Sequence, residues 1–243
     1  MPKPAPLLDP GIYAVALDDS PYFRFYEKSP VTRLLLATIP RHLARGMSVL
    51  DIGCGNAIAA CHLVASGGRA LRYVGVDPDP AVCGWARKVL ASLPPAQLRG
   101  EIVTRMLEDY LAGEPSRVDL IVSNWACRAY IDLGRPERHG PIARAIAGQL
   151  QPGGVLLVGD AHIAPGASEE EIERIRRHHQ RLVGERGTGR PLVPPELIVS
   201  LFEQAGLVCL ERHDVGAVPL AHVFHIPHDR YALHVFRRPG DER

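Results

Sequence analysis

The run from Val49 to Asp77 constrains this chain more than any other stretch. Val49-Leu50-Asp51-Ile52 reads as a buried strand carrying one acid, Gly53-Cys54-Gly55-Asn56-Ala57 as a glycine turn into a helix, and Tyr73-Val74-Gly75-Val76-Asp77 as a second strand ending on a carboxylate. Gly53 and Gly55 let the backbone turn sharply and approach a bound group where a Cβ would collide. Asp77, at the C-terminal tip of its strand, is placed to accept hydrogen bonds from a ribose diol. Together these pieces form half of a nucleotide site.

The spacing decides which nucleotide. A dinucleotide turn carries a third glycine three residues after the second, where the helix packs on the strand and a pyrophosphate sits at the helix N-terminus. Here that position is Ile58, and an acid, Asp51, opens the turn. An acid there repels a pyrophosphate but holds a cationic ligand, directly or through water. The pattern Asp51-x-Gly53-x-Gly55-x-Ala57, followed by Val74-Gly75-Val76-Asp77-Pro78-Asp79, resembles the first two motifs of the class I S-adenosylmethionine-dependent methyltransferases. The resemblance implies that Gly53 and Gly55 border the methionine moiety, that Asp51 lies near its amino group, and that Asp77, with Pro78 after it, holds the ribose hydroxyls. Leu150-Gln151-Pro152-Gly153-Gly154 is a second point of resemblance, the turn that precedes the family's fifth strand.

Alternating strands and helices imply a parallel sheet with helices on both faces. The family resemblance makes the expected fold an α/β, three-layer Rossmann-like methyltransferase sheet, mostly parallel and seven-stranded, with an antiparallel last strand and an N-terminal helical lid. The expected domains are a tail and lid over 1–45, a cofactor-binding domain over 46–237 with a helical insert at 168–190, and a tail over 238–243. Ser20-Pro21 and Ser29-Pro30 are cap-then-proline helix starts. Tyr22 and Tyr26 share one helical face, and read either as core or, by resemblance, as a lid over the acceptor. Expected strands further along are Glu101 to Arg105, Val118 to Asn124, Val155 to Asp160, Leu207 to Glu211 and Tyr231 to Phe236. Ser168 with Glu171 at the box position opens the insert helix, which lies over the site or at a subunit contact.

Ligands of open α/β sheets bind beyond the carboxyl ends of the strands. Asn124, Trp125, Arg128 and Tyr130 therefore face the reaction centre or its entrance, with Trp125 balanced between an acceptor contact and an apolar plug. Relatives that methylate the amino groups of bases carry an Asn-Pro-Pro-aromatic run here. This chain has Asn124-Trp125-Ala126, which disfavours nucleobases. Resemblance puts Met106 and Leu107 against the adenine, although both read equally well as core. His162 after strand five, and His222 or His225 in the segment before the last strand, are the candidate general bases, with His139 behind them. Histidine titrates near neutrality and suits that task. His222, His225 and His228 fall on opposite faces of an extended chain, so they do not converge as a metal site unless the segment is helical.

Composition narrows the partners. The formal net charge is +1, so no global field draws the chain to nucleic acid or membrane. The Arg174 to Arg181 stretch follows the acids Glu169, Glu170, Glu171 and Glu173 and reads as part of a solvated face rather than an RNA contact. Five scattered cysteines without a C-x-x-C pair, and no apolar leader, give the expectation of a reduced, cytoplasmic protein. The expected activity is methyl transfer to an oxygen or nitrogen of a small-molecule acceptor, in the manner of secondary metabolism. The alternatives are an enzyme using the same cofactor for carboxylation or cyclisation, and a non-catalytic partner subunit. A homodimer is compatible with the sequence.

Overall fold

A computed structural model describes residues 30–113, 115–163, 166–174, 177, 193–215 and 229–240. Helix α1 (Pro30–Thr38) and a short 3-10 turn (Ile39–His42) lead into strand β1 (Ser48–Ile52). There follow α2 (Ile58–Ala65), β2 (Leu71–Asp77), α3 (Pro80–Ser92), β3 (Leu98–Thr104), α4 (Leu107–Leu111), β4 (Val118–Asn124), α5 (Cys127–Tyr130), α6 (His139–Gln149), β5 (Leu150–Ile163), α7 (Pro195–Gln204), β6 (Val208–Val215) and β7 (Asp229–Arg237). The strands form one seven-stranded sheet in the order β3-β2-β1-β4-β5-β7-β6. The pairs β1–β2, β1–β4, β2–β3 and β4–β5 are parallel, and β7 runs antiparallel to both β5 and β6. The order reverses between β1 and β4, which is the switch point where such sheets open a crevice for ligands.

The sheet has an apolar cluster on each face. On one, Val49, Tyr73, Leu120 and Leu157 pack with Leu35 of α1, Leu63 of α2 and Ala86 of α3. On the other, Leu50, Ile121, Leu156 and Phe236 pack with Leu107 of α4, Tyr130 of α5, Ile146 of α6 and Phe202 of α7. Strands covered on both faces read as near-continuous apolar runs, which is why β4 is found where its sequence places it. Every residue of α2 from Ile58 to Val64 is buried, so this helix has no polar face.

The structure lengthens most strands beyond their expected ends, β2 by starting at Leu71 and β7 by spanning Asp229–Arg237 among them. β3 starts at Leu98, not Glu101, because Leu98, Arg99 and Gly100 pair with Leu71, Arg72 and Tyr73. A Cβ on Gly100 would stand 2.3 Å from the Tyr73 carbonyl oxygen, so the glycine that looks like a strand breaker is what permits the close approach. β5 runs to Ile163 instead of ending at Asp160, since β7 continues the ladder through His162↔Arg230 and Ile163↔Asp229 after β4 has stopped at Gly159. β6 extends to Val215 on the same partner. The Leu150-to-Gly154 turn is an irregularity within β5, between the pairs Val118↔Leu150 and Leu120↔Val155, with Gly153 at φ +79°. Ser168 and Glu171 form the reciprocal cap, with the Glu171 carboxylate accepting from the Ser168 amide at 2.8 Å and the Ser168 hydroxyl from the Glu171 amide at 3.3 Å. The rest of the insert beyond residue 177, and the lid residues before 30, lie outside the described residues.

Candidate active site

At the end of β1 the chain enters the left-handed region at Gly53 (φ +67°) and Gly55 (φ +53°). Both the Gly53 and Cys54 amides donate to the Val76 carbonyl, at 2.8 and 3.1 Å, which ties the turn to β2. A Cβ on Gly53 would lie 2.5 Å from the Ala126 Cβ, so the turn passes directly against the connection from β4 to α5. Asp77 stands at the tip of β2, where its carboxylate accepts from the Gly55 amide at 3.2 Å and the Asp79 amide at 3.0 Å. Burial pushes its pKa up, while the two amides hold it back. Pro78 is exposed beside it, and Asp79 caps α3 by accepting from the Ala81 amide at 2.8 Å.

Asp51 is placed differently from an open ligand. It is 3% exposed, and its carboxylate accepts a 2.6 Å hydrogen bond from the Tyr73 hydroxyl. Burial raises its pKa to about 7, Tyr73 works against that shift, and nearby Asp77 adds to it. The acid therefore lies buried at the end of β1, bonded to β2 through Tyr73. Beyond β3, Met106 is 46% exposed whereas Leu107 is buried in the core with Leu50, Ile52 and Val76.

At the tip of β4, Asn124 is 9% exposed and its Nδ2 donates to Thr32 Oγ1 of α1 at 3.1 Å. Its Oδ1 is buried without a partner among the described residues. Trp125 takes φ +60°, donates its amide to the Gly159 carbonyl at 2.7 Å and its indole N–H to Thr32 Oγ1 at 3.3 Å. Its ring is buried and meets Tyr231 edge-on at 5.6 Å. Arg128 stands over the same ring at 5.6 Å. Tyr130 is on the other face of the sheet, in the core, with its hydroxyl 2.9 Å from Ser123 Oγ. Asn124, Trp125 and Arg128 are thus brought together, and Tyr130 is not.

Of the candidate bases, His162 lies within β5, 5% exposed, with Nε2 3.7 Å from Asp214 Oδ1. Asp214 in turn faces Arg212 at 3.5 Å, and Arg212 binds Glu196 of α7 at 2.7 Å. His234 is buried in the same region, and desolvation first, with Arg212 next, lowers its pKa to about 4. His139 opens α6 with its ring Nε2 2.7 Å from the Asp132 carbonyl, a bond that fixes the helix start. His222, His225, Tyr22 and Tyr26 lie outside the described residues. Among the described residues no group of three or more His, Cys, Asp or Glu side chains is placed to hold a metal, and no helix is long and apolar enough to cross a membrane.

Sequence reasoning missed Thr32, Tyr73 and Asp160. Asp160 is buried on β5 and accepts from the Ala161 amide at 2.8 Å; burial pushes its pKa up, while Arg128 and the Ala161, Arg128 and Cys127 amides hold it back. Its signal was its place beside the β4 tip, since Asn124 pairs with Gly159. Thr32 carried no signal, because nothing local marks a threonine in a first helical turn as a tether to residues ninety positions away.

The donor set fits an adenosyl cofactor with a cationic amino-acid end. A turn with no Cβ at Gly53 and Gly55 lies at the end of β1, a carboxylate stands at the tip of β2, and an amide oxygen with no partner among the described residues lies at the tip of β4. These are adjacent strands opening on the sheet's crevice.

Comparison with known proteins agrees. A family model described as a methyltransferase domain matches residues 22–212. The ribosomal protein L11 methyltransferase of Dechloromonas aromatica is 31% identical over 146 residues, 60% of this chain and 41% of that protein. That of Thermus thermophilus is 36% identical over 129 residues, 53% of this chain and 44% of that protein. The chain thus matches less than half the length of these curated relatives. Among solved structures, a cyclopropane synthase of Mycobacterium tuberculosis superposes with TM-score 0.66 at 15% identity, covering 94% of this chain and 97% of that one. A phosphoethanolamine N-methyltransferase of Haemonchus contortus, solved with S-adenosylhomocysteine, gives TM-score 0.59 at 15% identity over 85% of this chain and 52% of that one. At such identities the superpositions speak to the fold alone. Sheet order and family model converge on one conclusion: the chain belongs to the methyltransferase-domain family.

Proposed function

We propose that this protein is an S-adenosylmethionine-dependent methyltransferase that methylates an oxygen or nitrogen of a small-molecule acceptor bound beside the tip of β4, under helix α1. The observation behind this reading is the Thr32 hydroxyl, which accepts from both the Asn124 amide and the Trp125 indole and so fastens the chain's own helix across the acceptor end of the sheet. A roof built from the same chain suits an acceptor enclosed by side chains, as small-molecule sites generally are.

The cofactor supplies an activated methyl on a sulfonium, and the protein's contribution is alignment and exclusion of water. Gly53, Gly55 and Asp77 hold the adenosyl and amino-acid ends, with Pro78 and Met106 at the rim and Leu107 behind. Asn124 Oδ1 accepts a hydrogen bond from a donor on cofactor or acceptor, and Arg128 and Trp125 wall that side. For an acceptor that keeps its proton, His162 is the proposed base, with Asp214 beside it to receive the imidazolium charge, and His222 and His225 are second candidates. An anionic acceptor needs no base. Tyr22 and Tyr26 complete the lid in this reading, and the compartment is the cytoplasm.

A protein acceptor is the second reading, favoured by the L11 methyltransferase relatives at 31% and 36% identity. The two separate in one assay. With methyl-labelled S-adenosylmethionine, label is expected in the dialysable fraction of a cell extract and absent from ribosomal protein L11. Label confined to protein would overturn the small-molecule reading, and complete turnover of an acceptor with unchanged cofactor would overturn methyl transfer itself.

A further inference from the structure

The Asp51 carboxylate sits buried two residues before Gly53, and one side chain fixes its orientation. Tyr73 and Asp51 lie on the same face of adjacent strands, and Gly75, which pairs with Asp51, has no side chain to come between them. A Cβ on Gly75 would meet Cys54 Cβ and Ile102 Cδ1, each at 2.9 Å, so the space is closed to anything but the tyrosine ring. The Tyr73 ring is 1% exposed and its hydroxyl donates to Asp51 at 2.6 Å.

Resting on the cofactor site described above, we propose that Tyr73 is a positioning residue for S-adenosylmethionine: its hydroxyl holds the Asp51 carboxylate as a fixed anion beneath the Gly53-to-Ala57 turn, and cofactor affinity depends on that bond. A cationic ligand above a poorly solvated carboxylate is attracted far more strongly than the same pair in water. A carboxylate free to protonate or rotate loses that attraction. The ionisable groups that face Asp51 are Tyr73 and Asp77 of β2, Cys54 of the turn and, next to Tyr73, Cys61 of α2. Cys83 of α3 stands beyond Cys54. Burial raises the Cys54 and Cys61 thiols, Cys61 to about 12, so both stay neutral around pH 7, and the tyrosine hydroxyl stays protonated for the same reason. Asp51, its pKa raised to about 7, is left as the group whose charge answers to pH near neutrality, and Asp77 is the acid that adds to that rise. A hydroxyl that donates to the charged carboxylate favours it, so removing the hydroxyl moves the protonated fraction up at any given pH.

The test is calorimetric titration of S-adenosylmethionine into wild type, Tyr73→Phe, Asp51→Asn and the double variant between pH 6 and 9, with melting curves to verify folding. Tyr73→Phe is expected to bind about tenfold more weakly at pH 7, as the loss of one hydrogen bond to a charged group implies, and to recover toward wild type by pH 9. Asp51→Asn should weaken binding and flatten its pH dependence, and adding Tyr73→Phe to it should cost nothing further. An unchanged affinity in Tyr73→Phe, or a loss that is independent of pH and additive with Asp51→Asn, overturns the inference. Absence of binding by folded wild type overturns the cofactor site instead, an outcome the wild-type titration reads by itself.

Discussion

Replacing Gly53 by alanine tests the tightest contact in the cofactor turn, and Gly153→Ala provides its control within the same chain. Both glycines hold a left-handed backbone, at φ +67° and φ +79°. An L-residue in that region costs roughly 1–2 kcal/mol. A Cβ on Gly153 would meet nothing within 4 Å, so its substitution should lose only that conformational term. A Cβ on Gly53 would stand 2.5 Å from Ala126 Cβ, well inside the roughly 3.5–4.0 Å of an ordinary carbon contact. Ala126 cannot retreat freely, because Trp125 before it is held by its amide to Gly159 and its indole to Thr32. Overpacking of this kind adds about 1–3 kcal/mol. Gly53→Ala should therefore lose about 2–5 kcal/mol, which for a chain of this size lowers Tm by roughly 4–20 °C, against roughly 2–8 °C for Gly153→Ala. The displaced turn should also weaken S-adenosylmethionine binding at least tenfold, while Gly153→Ala binds as wild type. Thermal melts with and without cofactor read both effects. If Gly53→Ala melts with Gly153→Ala and binds normally, the steric argument is wrong.

Three further outcomes follow from buried polar groups. The raised pKa of Asp51, about 7 in the fold, means that the folded state binds more protons than the unfolded one between about pH 4 and 7, so this group's contribution is complete below pH 4 and is lost as pH rises through 7. Asp51→Asn should remove that loss and melt higher than wild type at pH 8, which differential scanning calorimetry at pH 5 and 8 would check. His234 has the opposite sign: with its pKa lowered to about 4, it costs stability as pH falls from about 6.5 to 4, by about 3 kcal/mol at most. His234→Phe should flatten that acid limb in urea titrations at pH 5, extending the ring contact already made with Phe236 at 6.0 Å. Thr32→Val keeps the shape of the side chain but strips the acceptor from two buried donors, at about 1–3 kcal/mol each. Its Tm should fall by several degrees, and proteolysis should cut before β1 sooner than in wild type.

Parts of this architecture that depend on one strand or one turn were legible in the sequence. Val118 to Asn124, an apolar stretch broken by Asp119 and ending on Ser123 and Asn124, forms β4 with those bounds. The Gly53 and Gly55 turn and the acid at Asp77 are features of local spacing, and they stand where the spacing puts them. The parts set by a neighbour were not legible. β5 passes Asp160 only because β7 supplies a partner as far as Asp229, and the first residues of β3, polar and glycine-containing, become strand only against Leu71 to Tyr73. Asp51 reads from sequence as a ligand beside the cofactor's amino group. Its burial and its bond to Tyr73, twenty-two residues away, arise from the register between β1 and β2. Thr32 belongs to the same class, since its importance lies wholly in what α1 is laid against.

Whether the ends of β1 and β2 hold S-adenosylmethionine is read by calorimetric titration of the protein and of Asp77→Ala with S-adenosylmethionine, S-adenosylhomocysteine and NAD. Both adenosyl ligands should bind wild type, NAD should not, and Asp77→Ala, verified as folded by its melting curve, should lose at least tenfold in affinity for both. An Asp77→Ala protein that binds S-adenosylmethionine as tightly as wild type would contradict that placement of the cofactor.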